Sequence, residues 1–388
     1  MRRSFFALPA AAALAACILP LPAFAQQSWE ITVQDSGAEI AWTDADAVDV
    51  QIPAQADGQE VTAIAAEGFS GCAALERIEI PDTVTVIGDY AFQNCTSLET
   101  ITIPASVTQI GNFAFEGCTS LREISVEEDN EAYCSVDGVL MTKDMSMLIR
   151  YPAAKADTFY EMPEECDIIA AWGFTGCRYL EETDLNEVRK MGADVFMGCT
   201  ALQKVALTNH ITELIGASFA HCTALRTVSG TGQVRTIGDN CFFGCAELTD
   251  IGNPERLESV GKQAFYGCVS LKELHLPASL RSIGEYGIGY SVTEDGENAL
   301  IPDVCLYMPI GSKAYRYARE NGLKFQASMP ENALMITLVV LLLAGLGIAA
   351  AVIKHKEHAA EEAAKQERLR AEEKAQKKQK RSKRKGQT

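Results

Sequence analysis

Residues 87–109 read IGDYAFQNCTSLETITIPASVTQ, and the same frame resumes at Ile110. Phe92, Cys95 and Leu98 form the string Phe-x-x-Cys-x-x-Leu, which leads into Ile101, Ile103 and Pro104. The string occurs eight times, with cysteines at Cys72, Cys95, Cys118, Cys177, Cys199, Cys222, Cys245 and Cys268, at intervals of 23, 23, 59, 22, 23, 23 and 23. Self-similarity at a fixed period of this size marks a repeat architecture. The Ile-x-Ile alternation reads as a short strand with one inward face, ended by a proline that cannot continue a ladder. No single unit can bury both that strand and its Ala-Phe segment, but stacked units can. The predicted fold is therefore an α/β repeat: a solenoid of short parallel strands in 23-residue units around one continuous core column.

The unit resembles the BspA-like bacterial leucine-rich repeats. Ile52-Pro53 and Gly58–Ala63 are similar to the family's opening pattern, Asn130–Pro152 (NEAYCSVDGVLMTKDMSMLIRYP) to its inserted hairpin, and Leu306–Phe325 to its terminal cap. The inserted hairpin accounts for the 59-residue interval. In the cap, Ser312 is suited to N-cap a helix and Gly322 to close it as the left-handed residue. The first repeat departs from the pattern, with Gly68 in place of alanine before Phe69. The predicted organisation is a signal peptide at 1–25, N-terminal cap strands at 26–63, and the leucine-rich-repeat solenoid at 64–304 with its hairpin near 127–160. A cap helix at 305–330, a transmembrane helix at 334–353 and a basic cytoplasmic tail at 354–388 follow. The resemblance implies adhesion to host matrix, mucosal glycoprotein or other bacteria, without catalysis.

Both ends of the chain point to export and anchoring. Arg2 and Arg3 precede an apolar run, and Ala23-Phe24-Ala25 offers a small-x-small cleavage site before Gln26. Leu14-Ala15-Ala16-Cys17 has the form of a lipoprotein box, but Ile18 to Ala25 stays apolar where such a signal turns polar. Leu334 to Ile353 is 20 residues without a charge, about 30 Å of helix and the thickness of a bilayer core. Lys354 and Lys356 follow directly, so the positive-inside rule sets the tail in the cytoplasm and the body outside. Met329-Pro330-Glu331-Asn332 matches a wall-sorting motif poorly. The last 35 residues hold 13 Lys/Arg and 6 Asp/Glu; with Arg2 and Arg3 set aside, the stretch between carries −27 of the net −18. The tail pairs Glu361 with Lys365 and Glu373 with Lys377 at i,i+4 and lacks an apolar face, so a solvated, half-formed helix is expected. Its Lys377–Lys385 cluster suits anionic lipid, and with no interleaved aromatic it does not read as a nucleic-acid site.

Twelve cysteines follow the cleavage site. Export favours disulfides, but eight of the twelve hold one fixed repeat position. Stacked rungs there have parallel Cβ vectors that suit a bridge poorly. A structural ladder of buried thiols is expected. Cys134, Cys166, Cys241 and Cys305 fall outside it. Cys241-x-x-x-Cys245 has a metal-like spacing without a nearby histidine or second pair, and reads as structural.

No motif for nucleophilic, phosphate-binding or zinc chemistry is present, and the three histidines of the body (His210, His221 and His275) are scattered. No catalytic residue, metal site or cofactor is predicted. Curvature gives a solenoid an extended concave sheet for binding. The residues flanking the central apolar one of each strand look outward: Arg77/Glu79, Thr100/Thr102, Glu123/Ser125, Glu182/Asp184, Lys204/Ala206, Thr227/Ser229, Asp250/Gly252 and Glu273/His275. Six are acidic, two are basic and none is aromatic. The candidate ligand-binding residues are thus Arg77, Glu79, Glu123, Glu182, Asp184, Lys204, Asp250, Glu273 and His275. They suit a cationic, sugar-like or hydrated partner, an extracellular protein or a glycan. A projecting hairpin, with Tyr133, Tyr151 and Tyr160 around it, is the alternative contact element. The rival function is an envelope structural or sensing protein whose tail recruits a cytoplasmic partner.

Overall fold

The computed structural model describes residues 29–34, 37–329 and 331–385; the predicted export signal, with Cys17 and its cleavage site, lies outside them. The body is a β-solenoid of about 13 turns. Each regular turn supplies two strands and one tight corner. The first strand is the Leu-x-x-Ile-x-Ile segment, such as Glu182–Asp184, Lys204–Ala206 and Thr227–Ser229, which pair parallel and in register. The second is only two residues long, as in Thr236–Ile237, Ser259–Val260 and Ser282–Ile283, again parallel. Among the described residues the repeats contain no α-helix, only a 3₁₀ turn at Thr231–Gln233; the α-helices are α1 (Lys313–Glu320) and α2 (Glu331–Lys385).

The corner explains the repeated residue choices. Two positions per unit take a left-handed backbone, one two residues before the phenylalanine (Tyr90, φ 57; in the Phe219 unit Gly216, one residue earlier) and one two residues after it (Asn94, φ 59). The second is most often glycine, at Gly71, Gly117, Gly176, Gly198, Gly244 and Gly267, because glycine adopts this region without a Cβ clash. The glycine after each short strand serves close stacking instead. A Cβ on Gly88 would lie 2.5 Å from Ala66 N of the preceding turn.

Inside, the phenylalanines stack. Centroids lie 5.3 Å apart for Phe69–Phe92, 5.7 Å for Phe92–Phe115, and 5.0–5.4 Å along Phe174–Phe196–Phe219–Phe242–Phe265. Beside them runs the cysteine ladder, buried at every rung. The Sγ of Cys95, Cys118, Cys199, Cys222, Cys245 and Cys268 each donates to the phenylalanine carbonyl of the preceding turn at 3.0–3.2 Å. Cysteine is thus a small hydrophobe that also satisfies a buried acceptor. All twelve cysteines of the described body are free thiols.

Aromatic and aliphatic lids close the column. At the N-terminal end Trp42 stacks on Phe69 at 6.4 Å and Trp29 meets Trp42 edge-on at 4.5 Å, both from the antiparallel hairpin Trp29–Gln34/Gly37–Trp42. At the other end Ile288 takes the ring position, and Tyr317 of α1 accepts from its N–H at 3.2 Å and donates to its carbonyl at 3.0 Å. Ser312 Oγ accepts from Tyr315 N at 3.1 Å and caps α1, while Gly322 (φ 69) takes the left-handed region beyond it.

The core is not one column. Its buried side chains form two clusters that meet at the hairpin Tyr133–Val136/Val139–Thr142, turned by Asp137 (φ 50) and Gly138 (φ 78). Because strand side chains alternate, Val139 and Met141 face the later cluster and Leu140 the earlier one, all fully buried. The hairpin is therefore a wall inside the core and does not project. Asn130 anchors its start: Nδ2 donates to Pro104 O and Val107 O, and Oδ1 accepts from the N–H groups of Ala132 and Tyr133. The long interval holds more than a hairpin. Tyr151 lies 23 residues before Phe174. It stacks on that ring at 5.0 Å, and its N–H donates to Gly173 O as Phe174 N–H donates to Val195 O. Residues 143–158 are thus a degenerate turn with Tyr151 in the phenylalanine place and Arg150 where Ala91 and Ala114 stand in regular turns.

Candidate binding face

The longer strands align their outward residues in parallel rows, and all nine candidate residues, from Arg77 to His275, are exposed on them. Repeat geometry adds rows that the periodic string does not show. Asp49–Gln51 pairs with Arg77–Glu79, Phe159–Glu161 with Glu182–Asp184, and Cys305–Pro309 with Glu273–His275. These rows correct the reading of a face without aromatics. Phe159 stands opposite Glu182 and is 52 % exposed, and Tyr307 stacks on His275 at 4.7 Å with ring planes 14° apart. Both sit in units lacking the Phe-x-x-Cys-x-x-Leu string; the alternation Phe159-Tyr160-Glu161, with Tyr160 inward, was the available signal.

Charge on the face is partly spent internally. Arg77 holds Asp49 through Nε–Oδ1 at 2.6 Å and Nη2–Oδ2 at 2.8 Å, and this hydrogen bonding keeps the Asp49 carboxyl below the usual carboxylate range. Lys204 Nζ reaches Glu182 Oε1 at 3.2 Å. With both candidate cations engaged, the remaining field is acidic, from Glu79, Glu123, Asp184, Asp250 and Glu273. Local donors orient several of these: Ser125 Oγ to Glu123 at 2.9 Å, Gly252 N to Asp250 at 2.7 Å and Asn186 N to Asp184 at 2.9 Å. Three depressions mark the face. One of about 540 Å³ lies around Asp49, Arg77 and Thr102, one of about 370 Å³ around Asp250 and Glu273, and one of about 570 Å³ around His275 and Tyr307.

The adjacent His221 and Cys222, and the Cys241-x-x-x-Cys245 spacing, have structural roles. His221 is a left-handed corner residue (φ 61), and the neighbouring Cys222 thiol is committed to Phe196 O. Cys241 and Cys245 are both fully buried, and burial pushes each thiol up, Cys245 to about 12. Among the described residues no group of three or more His, Cys, Asp or Glu side chains is arranged to hold a metal.

The BspA type leucine rich repeat region matches six times, over residues 49–135 and 158–254. Over those residues the repeats are of the BspA leucine-rich type. The gap between the matched stretches holds most of the hairpin and the degenerate turn. A solved leucine rich cell surface protein from Faecalibacterium prausnitzii is 33% identical, with TM-score 0.53, over 62% of this chain and 60% of that one. The chain thus spans about three fifths of that relative's length. The pneumococcal vaccine antigen PcpA shares the fold at 23% identity and TM-score 0.51, over 73% of this chain and 68% of its own. No curated protein matches in sequence. The C-terminal α2 contains a stretch long and apolar enough to cross a membrane, and its side chains there are exposed, with Leu341 at 64 %.

Proposed function

We propose that this BspA-type protein is anchored in the bacterial membrane by α2 and binds an extracellular protein or glycan on its long-strand face. The supporting observation is the contrast between the two sides of those strands. Inward positions are Ile, Val or Leu in most turns, with Tyr160 and Thr183 the exceptions, whereas outward pairs change from turn to turn, from Arg77/Glu79 through Phe159/Glu161 to Glu273/His275. A surface kept only for solubility gives no reason for three depressions lined by such varied groups. The acidic field selects a cationic or hydrated partner, and Phe159 and Tyr307 supply the flat apolar contacts that protein and sugar partners both use. Lys354 and Lys356 after the apolar stretch orient the tail inward. The role proposed is binding rather than catalysis; the Cys222 thiol is committed to Phe196 O, and Cys241 and Cys245 are buried.

The test is binding of the full chain in lipid nanodiscs to matrix proteins, mucins and wall polysaccharides. A variant with Glu182, Asp184 and Glu273 changed to lysine runs beside it. Binding that falls at least about tenfold in the variant, a change of about 1.4 kcal/mol, supports the face. Binding that the variant keeps removes the site from it. A second reading, an envelope or sensing protein acting through its tail, is favoured by the continuity of α2 from Glu331 to Lys385. It predicts that deleting Glu357–Thr388 abolishes the cellular phenotype while ligand binding survives.

A further inference from the structure

Where the phenylalanine column breaks, a cavity of about 300 Å³ opens between the Phe115 turn, the hairpin and the corner at Trp172. Phe113, Phe115, Tyr133, Ile149 and Trp172 give it apolar and aromatic walls, and Arg150 lies in the lining. Phe113 and Trp172 meet edge-to-face across the break at 5.5 Å, and Tyr90 stacks on Phe113 at 5.0 Å. Phe113 (φ 58) and Trp172 (φ 65) hold the left-handed corner position that Tyr90, Asp194, Asn240, Gln263 and Tyr286 hold in other turns, so the repeat corner itself sets the two rings at the break.

Arg150 is 5 % exposed. Its Nη1 donates to Trp172 O at 2.5 Å and its Nη2 to Thr175 O at 3.0 Å, while Nε is buried without a partner. Among the described residues no carboxylate forms an ion pair with it. Glu116, the carboxylate in the lining, instead accepts from Gln93 Nε2 at 2.7 Å. A guanidinium does not shed its proton, and a buried charge is ordinarily paired. The chain therefore holds an uncompensated cation at an aromatic-walled cavity.

We propose that this cavity binds a small amphipathic carboxylate, its apolar group against the Phe113–Trp172 pair and its carboxylate toward Arg150. The volume equals about ten water molecules at about 30 Å³ each. That is room for one ring with a short acid arm. The acid is either a free molecule or the C-terminus of a peptide ending in an aromatic residue. This site is independent of what the long-strand face binds.

The test uses the full chain in nanodiscs, with 3-phenylpropionate titrated by calorimetry beside its neutral amide, 3-phenylpropanamide, and the cation 3-phenylpropylamine. The acid is expected to bind at least about tenfold tighter than the amide, and the amine not at all. Trp172 fluorescence should shift on binding, since Trp29 and Trp42 pack together at the N-terminal lid. Ala171→Phe, an exposed change in the lining, should abolish binding with the melting curve unchanged, and Arg150→Met should reduce the acid to the affinity of the amide. Gly-Gly-Phe binding as well as the acid assigns a peptide end as a source; the acid binding alone assigns a free molecule. Equal affinity for acid and amide, binding that survives Ala171→Phe, or no binding of either carboxylate overturns the proposal.

Discussion

The turns from Phe174 to Phe265 and the stretch from Asn130 to Tyr160 face the same packing problem and solve it differently. In the regular turns each ring stacks on the next and each thiol after Cys177 donates to a phenylalanine carbonyl. In the interrupted stretch Tyr151 replaces a phenylalanine and Arg150 a small residue. Among the described residues, three of the four buried side-chain atoms left without a hydrogen-bond partner are there: Arg150 Nε, Tyr151 Oη and Tyr160 Oη. The fourth, Thr83 Oγ1, lies in an earlier regular turn, and the turns from Phe174 to Phe265 hold none among the described residues. One irregular turn concentrates unsatisfied groups and cavity volume, which a uniform stack does not supply.

That contrast can be broken experimentally. The largest effect is expected for Phe196→Ala in the middle of the regular stack, about 3–5 kcal/mol of stability by thermal or denaturant melting. Phe115→Ala, beside the existing cavity, should cost less; an equal loss would erase the distinction between the two regions. Alkaline pH acts next. Burial raises the thiols of Cys118 and Cys245 to about 12 from 9.0. It also holds Cys241 and Cys268 well above 9.0. From pH 9 the unfolded chain releases these protons while the folded chain keeps them. Stability should be full below pH 9 and fall as pH rises toward 12, by about 1.4 kcal/mol per unit for each such thiol. A reduced chain with a flat melting temperature from pH 8 to 11 would contradict the buried ladder. Cys222→Ala removes one S–H donor and should cost about 1 kcal/mol. The smallest effect is Tyr151→Phe. Removing an unpartnered buried hydroxyl should leave stability unchanged or raise it by about 1 kcal/mol, and a clear loss would show that the hydroxyl is satisfied in solution.

Regular units were legible because each inward position is chemically constrained in the same way: Phe for the stack, Cys for the acceptor, Gly where turns touch. The interrupted unit was not, because its ladder residues satisfy the same geometry with different side chains. Tyr151 stacks like a phenylalanine without matching the string, and Arg150 sits where no pattern places a charge. The same masking hid Phe159 and Tyr307, which join the long-strand face only through pairing with Glu182–Asp184 and Glu273–His275. The nine candidate residues were readable from strand alternation alone, since period two fixes which side faces out. Which of them are engaged internally, as Arg77 and Lys204 are, depends on side-chain reach between turns and has no signature in one unit. The lids also escaped periodic reading at the N-terminus, where Trp29 and Trp42 come from an antiparallel hairpin outside the repeat.

The helix α2 runs without interruption from Glu331 to Lys385, far past the apolar stretch that ends at Ile353. At 1.5 Å per residue, a straight helix leaving a bilayer at Lys354 carries Lys377 about 35 Å from the surface. Electrostatic attraction fades over a Debye length of about 8 Å at physiological salt. On the anchoring proposed above, a stiff rod would therefore lift its most basic end out of reach of the lipid it emerged from. To touch that lipid the rod must bend or lie down. Held upright on that anchoring, it would be a mast whose basic tip stands beyond the lipid's own field.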